Sequence, residues 1–290
     1  MDGLTLRAPA KLNLTLEVDP PRPDGYHPIR SLMAELPDLF DDVELATSAR
    51  RRVICPGVPE RENLAWRALD ALDAHVGRVL GVAVTITKRI PSQAGLGGGS
   101  SDAGATLVGA NRLFGLGLTD EVLIELAAVV GSDVPFFIRG GTQRASGRGD
   151  VLEPATVPTA WAVLARIPIG LPTPMVYRAF DRMARPVRVP TRTVRSFDEL
   201  VANARNDLWP AALALAPALG RAARELAAAG ACRVLLCGSG STVAGLVRTA
   251  ADAERIASQV TARVPNAWVD TSALGDPTLA VPTRTTARVV

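Results

Sequence analysis

The run Pro91-Ser92-Gln93-Ala94-Gly95-Leu96-Gly97-Gly98-Gly99-Ser100-Ser101 constrains this chain more than any other segment, because it sets four glycines and two adjacent hydroxyls between a strand-like and a helix-like stretch. Before it, Val82 to Thr87 has the β-branched alternation of a half-buried strand; after it, Leu107, Ala110, Asn111, Leu113 and Phe114 recur at helical spacing. The loop therefore feeds a helix N-terminus. Glycines permit positive φ and close approach of a ligand, successive N–H groups converge, and the helix dipole adds about half a positive charge. Phosphate is the expected guest. The spacing is neither a Walker A loop, since no Gly-Lys-Ser/Thr follows, nor G-x-G-x-x-G, since Ser100 stands three after Gly97. A second reading stays open: a glycine turn that lets a helix pack closely on a sheet, with Ser100, Ser101 or Asp102 as a cap. The paired hydroxyls also suit phosphate oxygens and a magnesium ion.

At 290 residues the chain is long enough for two domains, and 48% hydrophobic with 21% charged residues describes a soluble globular protein. The longest uncharged apolar stretches, near Val234 to Val247 and Leu208 to Gly220, are short and broken by Gly or Pro, so no membrane span is expected. Met1 to Pro9 lacks the basic-then-apolar layout of a secretory signal, which makes the cytoplasm the default location. Cys55, Cys232 and Cys237 are odd in number, without metal-ligand spacing, and read as reduced packing residues. The net charge of +3 is spread along the chain, and its one dense cluster, Arg50-Arg51-Arg52, reads as a solvated hairpin turn. No aromatic series accompanies the charge, so no nucleic-acid partner is expected.

Lys11 and Lys88 are the only lysines in this arginine-rich chain. An ammonium is a compact, tunable point charge where guanidinium is not, so a retained lysine is a candidate for chemistry. Lys88 also reads simply as a strand end. In Lys11-Leu12-Asn13-Leu14-Thr15-Leu16-Glu17-Val18 the apolar residues alternate, which puts Lys11 and Asn13 on the same face, about 7 Å apart. That face meets either one small ligand or solvent. The turn Pro20 to Pro28 carries Tyr26 and His27 at its exit, fit either to stack on a base and bond its edge or to pack as an ordinary loop. His75, on the helix-like run from Asn63 to Val76, reads as a helix-surface residue. Asp133, after the helix-like Asp120 to Val130, reads on its own as an Asx turn into Pro135.

Pro9-Ala10-Lys11-Leu12-Asn13-Leu14, Asp24-Gly25-Tyr26-His27, the Gly/Ser loop, Gly131-Ser132-Asp133-Val134-Pro135-Phe136-Phe137 and Cys237-Gly238-Ser239-Gly240-Ser241 together resemble the GHMP kinase superfamily, in the family's order and over almost the whole chain. The resemblance implies an ATP- and magnesium-dependent kinase with Lys11 and Asp133 as catalytic pair. Asp133 would orient the acceptor hydroxyl and take its proton, Lys11 would stabilise charge, and residues 91 to 101 would wrap the ATP phosphates. The Lys-Leu-Asn strand followed by Asp-Gly-Tyr-His is similar to the members that phosphorylate the 2-hydroxyl of a cytidine diphosphate-linked methylerythritol, in the non-mevalonate route to isoprenoid precursors. That implies Tyr26 stacked on cytosine, His27 on its edge, Asn13 near the methylerythritol end and Tyr177 as a second aromatic. The magnesium ligands stay unassigned, with Ser101 a candidate. Gly238-Ser239-Gly240 would pack beside the phosphate loop. Ser92-Gln93 departs from the pattern, where many members carry an apolar residue and a glycine. Another small alcohol as acceptor, or a non-catalytic ligand-binding protein of the same fold, are the alternatives.

The expected fold is α+β in two domains: an N-terminal ribosomal-S5-like α/β domain, residues 1–155, with the phosphate loop and catalytic pair, and a C-terminal ferredoxin-like split β-α-β domain, residues 156–290, completing the substrate site. Expected elements include a strand near Phe136, strands at Arg233 to Cys237, Thr242 to Val247 and Ala267 to Ser272, and a helix over Asp252 to Arg263. Residues 276–290 show no clear period. The chain is expected to be a monomer or weak homodimer.

Overall fold

The computed structural model describes residues 3–184 and 194–275, so the expectation for the C-terminal tail lies outside the described residues. Strands β1 (Gly3–Val18) and β2 (Ile29–Thr47) form a long antiparallel pair. They are followed by β3 (Arg52–Ile54), α1 (Leu64–Val76), β4 (Val82–Thr87), α2 (Gly98–Leu113), α3 (Asp120–Val130), α4 (Val134–Arg139), β5 (Thr142–Ser146) and β6 (Val151–Pro154). Then come β7 (Trp161–Arg166), α5 (Thr173–Phe180), α6 (Phe197–Asn203), β8 (Arg205–Asn206), α7 (Trp209–Leu215) and α8 (Leu219–Ala228). The last elements are β9 (Arg233–Leu236), β10 (Thr242–Val247), α9 (Ala250–Arg263) and β11 (Trp268–Ala273).

The first sheet runs β3-β4-β2-β1-β8, with β5 joining β2 and β6 joining β5; the second runs β11-β7-β10-β9 with antiparallel neighbours. In chain order the second sheet is 4-1-3-2, the arrangement of the expected split β-α-β unit. The sequence carries this out with period-2 strands and an α9 whose Thr249 hydroxyl accepts the Asp252 N–H as N-cap. β8 is the exception to a clean division of the chain, because Arg205 and Asn206 return to pair in parallel with Thr15 and Leu16 of β1.

Three features of β1 position the site. Register shifts fall between Pro9 and Ala10 and between Asn13 and Thr15. On the near side of the first, Leu6 and Ala8 pack with α1 and α2; beyond it, Ala10, Leu12 and Leu14 pack with Ala162, Leu164 and Ala244 of the second sheet. β1 is therefore covered on both faces, and Lys11, Asn13, Thr15 and Glu17 are buried rather than solvated.

Two sequence expectations are corrected. Phe136 lies in helix α4, not in a strand: Pro135 presets the first helical turn, Gly140 at φ 69° ends it, and a run this short carries no period to distinguish the two. Phe136 is fully buried against Met33 and Ala145. Arg50-Arg51-Arg52 is not a solvated hairpin turn, because β3 pairs in parallel with β4 while β2 pairs with the other edge of β4. Arg51 is largely buried, paired with Asp70 and Asp73 and stacked 5.0 Å from the Trp66 ring. His75 sits on the exposed side of α1 as expected.

Candidate active site

The glycine loop leads from β4 into α2, and Gly97, at φ 76°, is the N-cap without a side-chain hydrogen bond. The first-turn N–H groups of α2 thus have no intrahelical acceptor and no capping side chain, and they open onto a cleft of about 630 Å³. The loop is clamped from two sides. The Lys11 N–H donates to Leu96 O at 2.9 Å, and the Thr242 N–H donates to Ala94 O at 3.3 Å. A Cβ on Gly95, already at φ 77°, would lie 1.9 Å from Cys237 O, so the Gly238-Ser239-Gly240 turn packs directly on the loop as the resemblance implies. Asn206 fastens that turn, donating to Leu236 O and Gly238 O at 2.8 and 2.7 Å. Gln93 adopts φ 53° at the position where many members carry glycine, so the departure in residue type leaves the left-handed backbone in place.

Pro91, Ser92, Gln93, Ala94, Gly95, Leu96, Gly97, Gly98, Gly99 and Ser100 all line the cleft, together with Lys11, Asn13, Asp133 and Tyr177. Lys11 Nζ stands 3.4 Å from Asp133 Oδ2 and 2.5 Å from Asn13 Oδ1, and Asn13 in turn donates to Ser31 Oγ at 2.8 Å. Lys11 and Asn13 thus face a ligand cleft and each other. Asp133 stands just before α4, with an N-cap φ of −86° and a side chain that makes no cap hydrogen bond, which leaves its carboxylate to Lys11. Ser101 is buried rather than lining the cleft, and its Oγ has no hydrogen-bond partner. Such a hydroxyl is a donor type that fits a divalent cation. Among the described residues no cluster of three His, Cys, Asp or Glu side chains gathers to hold a resident metal.

Tyr26 and His27 stand beside the cleft rather than in its lining; Tyr26 is 54% exposed, with the guanidinium of the cleft-lining Arg148 over its ring. The His27 ring is 5.0 Å from that of Tyr177. His27 Nδ1 donates to Asp19 O at 2.9 Å, and Nε2 faces Asp181 Oδ2 at 3.3 Å. Both ring nitrogens therefore already face protein oxygens, and a base edge would have to take the place of Asp181. Burial, with the Asp133 charge adding, pushes the Tyr177 phenol well above its usual range, so it stays neutral.

Lys88, the second of the two lysines, belongs to a charged cluster that no local pattern marks. Lys88 Nζ is 2.5 Å from Asp41 Oδ2 and 2.7 Å from Asp102 Oδ2. Asp41 also accepts the Arg89 and Ile90 N–H groups at 2.5 and 2.9 Å. The cluster ties β2 and the entry of the phosphate loop to α2 at Asp102. Burial pushes Asp102 up to about 7, against the pull of Lys88 and with the push of Asp41. Burial alone would lower Lys88, but the Asp102 and Asp41 charges reverse the sign and raise it. Cys55, Cys232 and Cys237 are free thiols, and burial pushes Cys237 up to about 12, where it is inert.

A helix-borne phosphate loop opposite a Lys–Asp pair, on one sheet braced by a ferredoxin-like second sheet, defines a small-molecule phosphotransferase. Residues 63–141 match the family described as GHMP kinases N terminal domain, and residues 189–266 that described as GHMP kinases C terminal. The chain belongs to the GHMP kinases and is an ATP-dependent kinase of that family. It is 44% identical over 253 residues, 85% of this chain and 90% of the relative, to the 4-diphosphocytidyl-2-C-methyl-D-erythritol kinase of Geobacter sp. (strain M21). The protein of the same name from Geobacter sulfurreducens is 43% identical over 91% of this chain and 96% of its own length. A crystal structure of 4-(cytidine 5'-diphospho)-2C-methyl-D-erythritol kinase superposes with a TM-score of 0.79 at 34% identity, covering 94% of this chain and 99% of the other.

Proposed function

We propose that this chain transfers the γ-phosphoryl group of ATP to the 2-hydroxyl of 4-diphosphocytidyl-2-C-methyl-D-erythritol, as a step of the non-mevalonate isoprenoid pathway in the cytoplasm. The observation that carries the reading is the Lys11–Asp133 pair, a buried lysine against a partly exposed aspartate, which shares one cleft with the phosphate loop and with Arg148, whose guanidinium lies over the exposed Tyr26. The names and 43–44% identity of the Geobacter relatives support the choice of acceptor.

Phosphoryl transfer passes through a loose transition state, so positioning and charge neutralisation matter more than base strength. The N–H groups opening α2 hold the phosphates of ATP. The Asp133 carboxylate accepts the proton of the acceptor hydroxyl and aims its oxygen at the γ-phosphorus. Lys11, fixed by Asn13, orients the Asp133 carboxylate and meets the charge that develops between nucleophile and phosphate. Ser101 would help hold a magnesium ion arriving with ATP, which would supply charge neutralisation of the phosphates. Tyr26 takes the cytosine face, and Tyr177 closes on it from α5. The domain division after Ala155 belongs to the same reading, with β8 crossing back to brace β1, and we expect a monomer or weak homodimer.

The test is magnesium-dependent ADP release by the purified protein with the cytidylated acceptor, homoserine, mevalonate or no acceptor. Turnover requiring the cytidylated acceptor is expected. Turnover with another alcohol alone moves the substrate within the family, and ATP binding without turnover of any acceptor contradicts the proposal.

A further inference from the structure

Arg148 stands in the turn between β5 and β6, bracketed by Gly147 at φ 69° and Gly149 at φ 104°. The turn touches both ends of the acceptor region. The Ile29 N–H, just past the Tyr26-His27 turn, donates to Gly147 O at 2.8 Å. On the other side, a Cβ on Gly149 would lie 3.8 Å from Asp133 Oδ1. The Arg148 guanidinium carbon sits 5.1 Å over the centroid of the Tyr26 ring, and the residue lines the cleft with Lys11, Asp133 and Tyr177.

The charge of Arg148 is less committed than that of the two lysines lining the cleft. Lys11 is held by Asp133 and Asn13, and Lys88 by Asp41 and Asp102. Arg148 meets Asp150 at 3.5 Å, with the arginine side chain 37% exposed, a contact of small worth in solvent. A nucleoside diphosphate-linked polyol carries two phosphates between its base and its reacting hydroxyl. With the base on Tyr26 and the hydroxyl at Asp133, those phosphates cross the interval that Arg148 spans, and a guanidinium fork is the side chain best matched to them.

We propose that Arg148 is the specificity-determining residue for the acceptor diphosphate, giving up its place over Tyr26 to the base and pairing with the phosphates beside it. This inference rests on the acceptor proposed above. Charge-assisted hydrogen bonds of this kind are worth about 1.5–3 kcal/mol, or roughly 10- to 100-fold.

The test is steady-state kinetics of the wild type, Arg148→Gln and Arg148→Lys with the cytidylated acceptor, together with inhibition by CDP and by cytidine measured against that acceptor. The expected result is a KM for the acceptor raised about 10- to 100-fold in Arg148→Gln, with most of the loss in KM rather than kcat, and partial recovery in Arg148→Lys. CDP inhibition should weaken with it while cytidine inhibition holds. A KM within twofold of wild type overturns the inference and leaves the function standing, as does an equal loss for CDP and cytidine, which would make Arg148 a support for Tyr26. A wild type that phosphorylates only other alcohols overturns both.

Discussion

Lys11 Nζ and Asp133 Oδ2 face each other at 3.4 Å across the floor of the cleft, brought from a strand near the N-terminus and from the start of a short helix 122 positions later. The lysine side chain is nearly buried and the aspartate about one-third exposed, the asymmetry that the proposed roles of charge stabiliser and proton acceptor require. Lys11→Ala and Asp133→Asn should each lower kcat by about 10²- to 10⁴-fold. ATP affinity, measured by titration calorimetry, should change little, because the phosphate loop is held by its own backbone contacts. Near-normal turnover in both variants contradicts the assignment.

Tyr26→Ala should raise the KM for the cytidylated acceptor about 5- to 100-fold, the worth of one base stacked on one aromatic. Its ring is exposed in the free protein, so the fold should be indifferent to its loss. Unchanged acceptor KM at an unchanged melting temperature would remove the base platform from the account.

Gly95→Ala and Gly99→Ala should separate the packing of the loop from its glycine content. A Cβ at Gly95 meets a backbone carbonyl at 1.9 Å in a left-handed conformation, whereas at Gly99 its nearest neighbour is Leu64 Cδ1 at 3.8 Å. Gly95→Ala should cost about 3 kcal/mol or more, and Gly99→Ala should melt close to wild type. Thermal denaturation of the two reads the difference directly.

The Asp41–Lys88–Asp102 cluster predicts a pH dependence. The folded state holds the Asp102 proton up to about pH 7, far above the ordinary value of 3.8. Stability from this proton is fully present below the unfolded value and is lost as pH rises through the folded one, at up to about 1.4 kcal/mol per pH unit. Asp102→Asn removes the titration. Its melting temperature should therefore fall less than that of the wild type between pH 5 and pH 8, and parallel curves would contradict the cluster's role.

Much of this was legible because the signals are local. The glycine run, the period of β1 and the strand-helix order after Trp161 each follow from a few neighbouring residues, and they place the phosphate loop and the ferredoxin-like sheet. What the chain hides is what only tertiary contact decides. Alternation in β1 gives the faces of Lys11 and Asn13 but not that both faces are covered, which depends on the second sheet packing over Leu12 and Leu14. Val134 to Ile138 is apolar throughout and has no period, so nothing local marks its helix. Lys88 reads as a strand end until Asp41, 47 positions away, closes on it. Arg148 had one signal, its two flanking glycines, and nothing local ties that turn to Tyr26.

The most direct measurement is the position of the new phosphate. Purified protein is incubated with magnesium, ATP and 4-diphosphocytidyl-2-C-methyl-D-erythritol, and the product is read by phosphorus and carbon NMR. The account predicts one new phosphomonoester, coupled to the methyl-bearing carbon of the erythritol, with one ADP formed per ester. Ester at another hydroxyl, or ADP without ester, would contradict it.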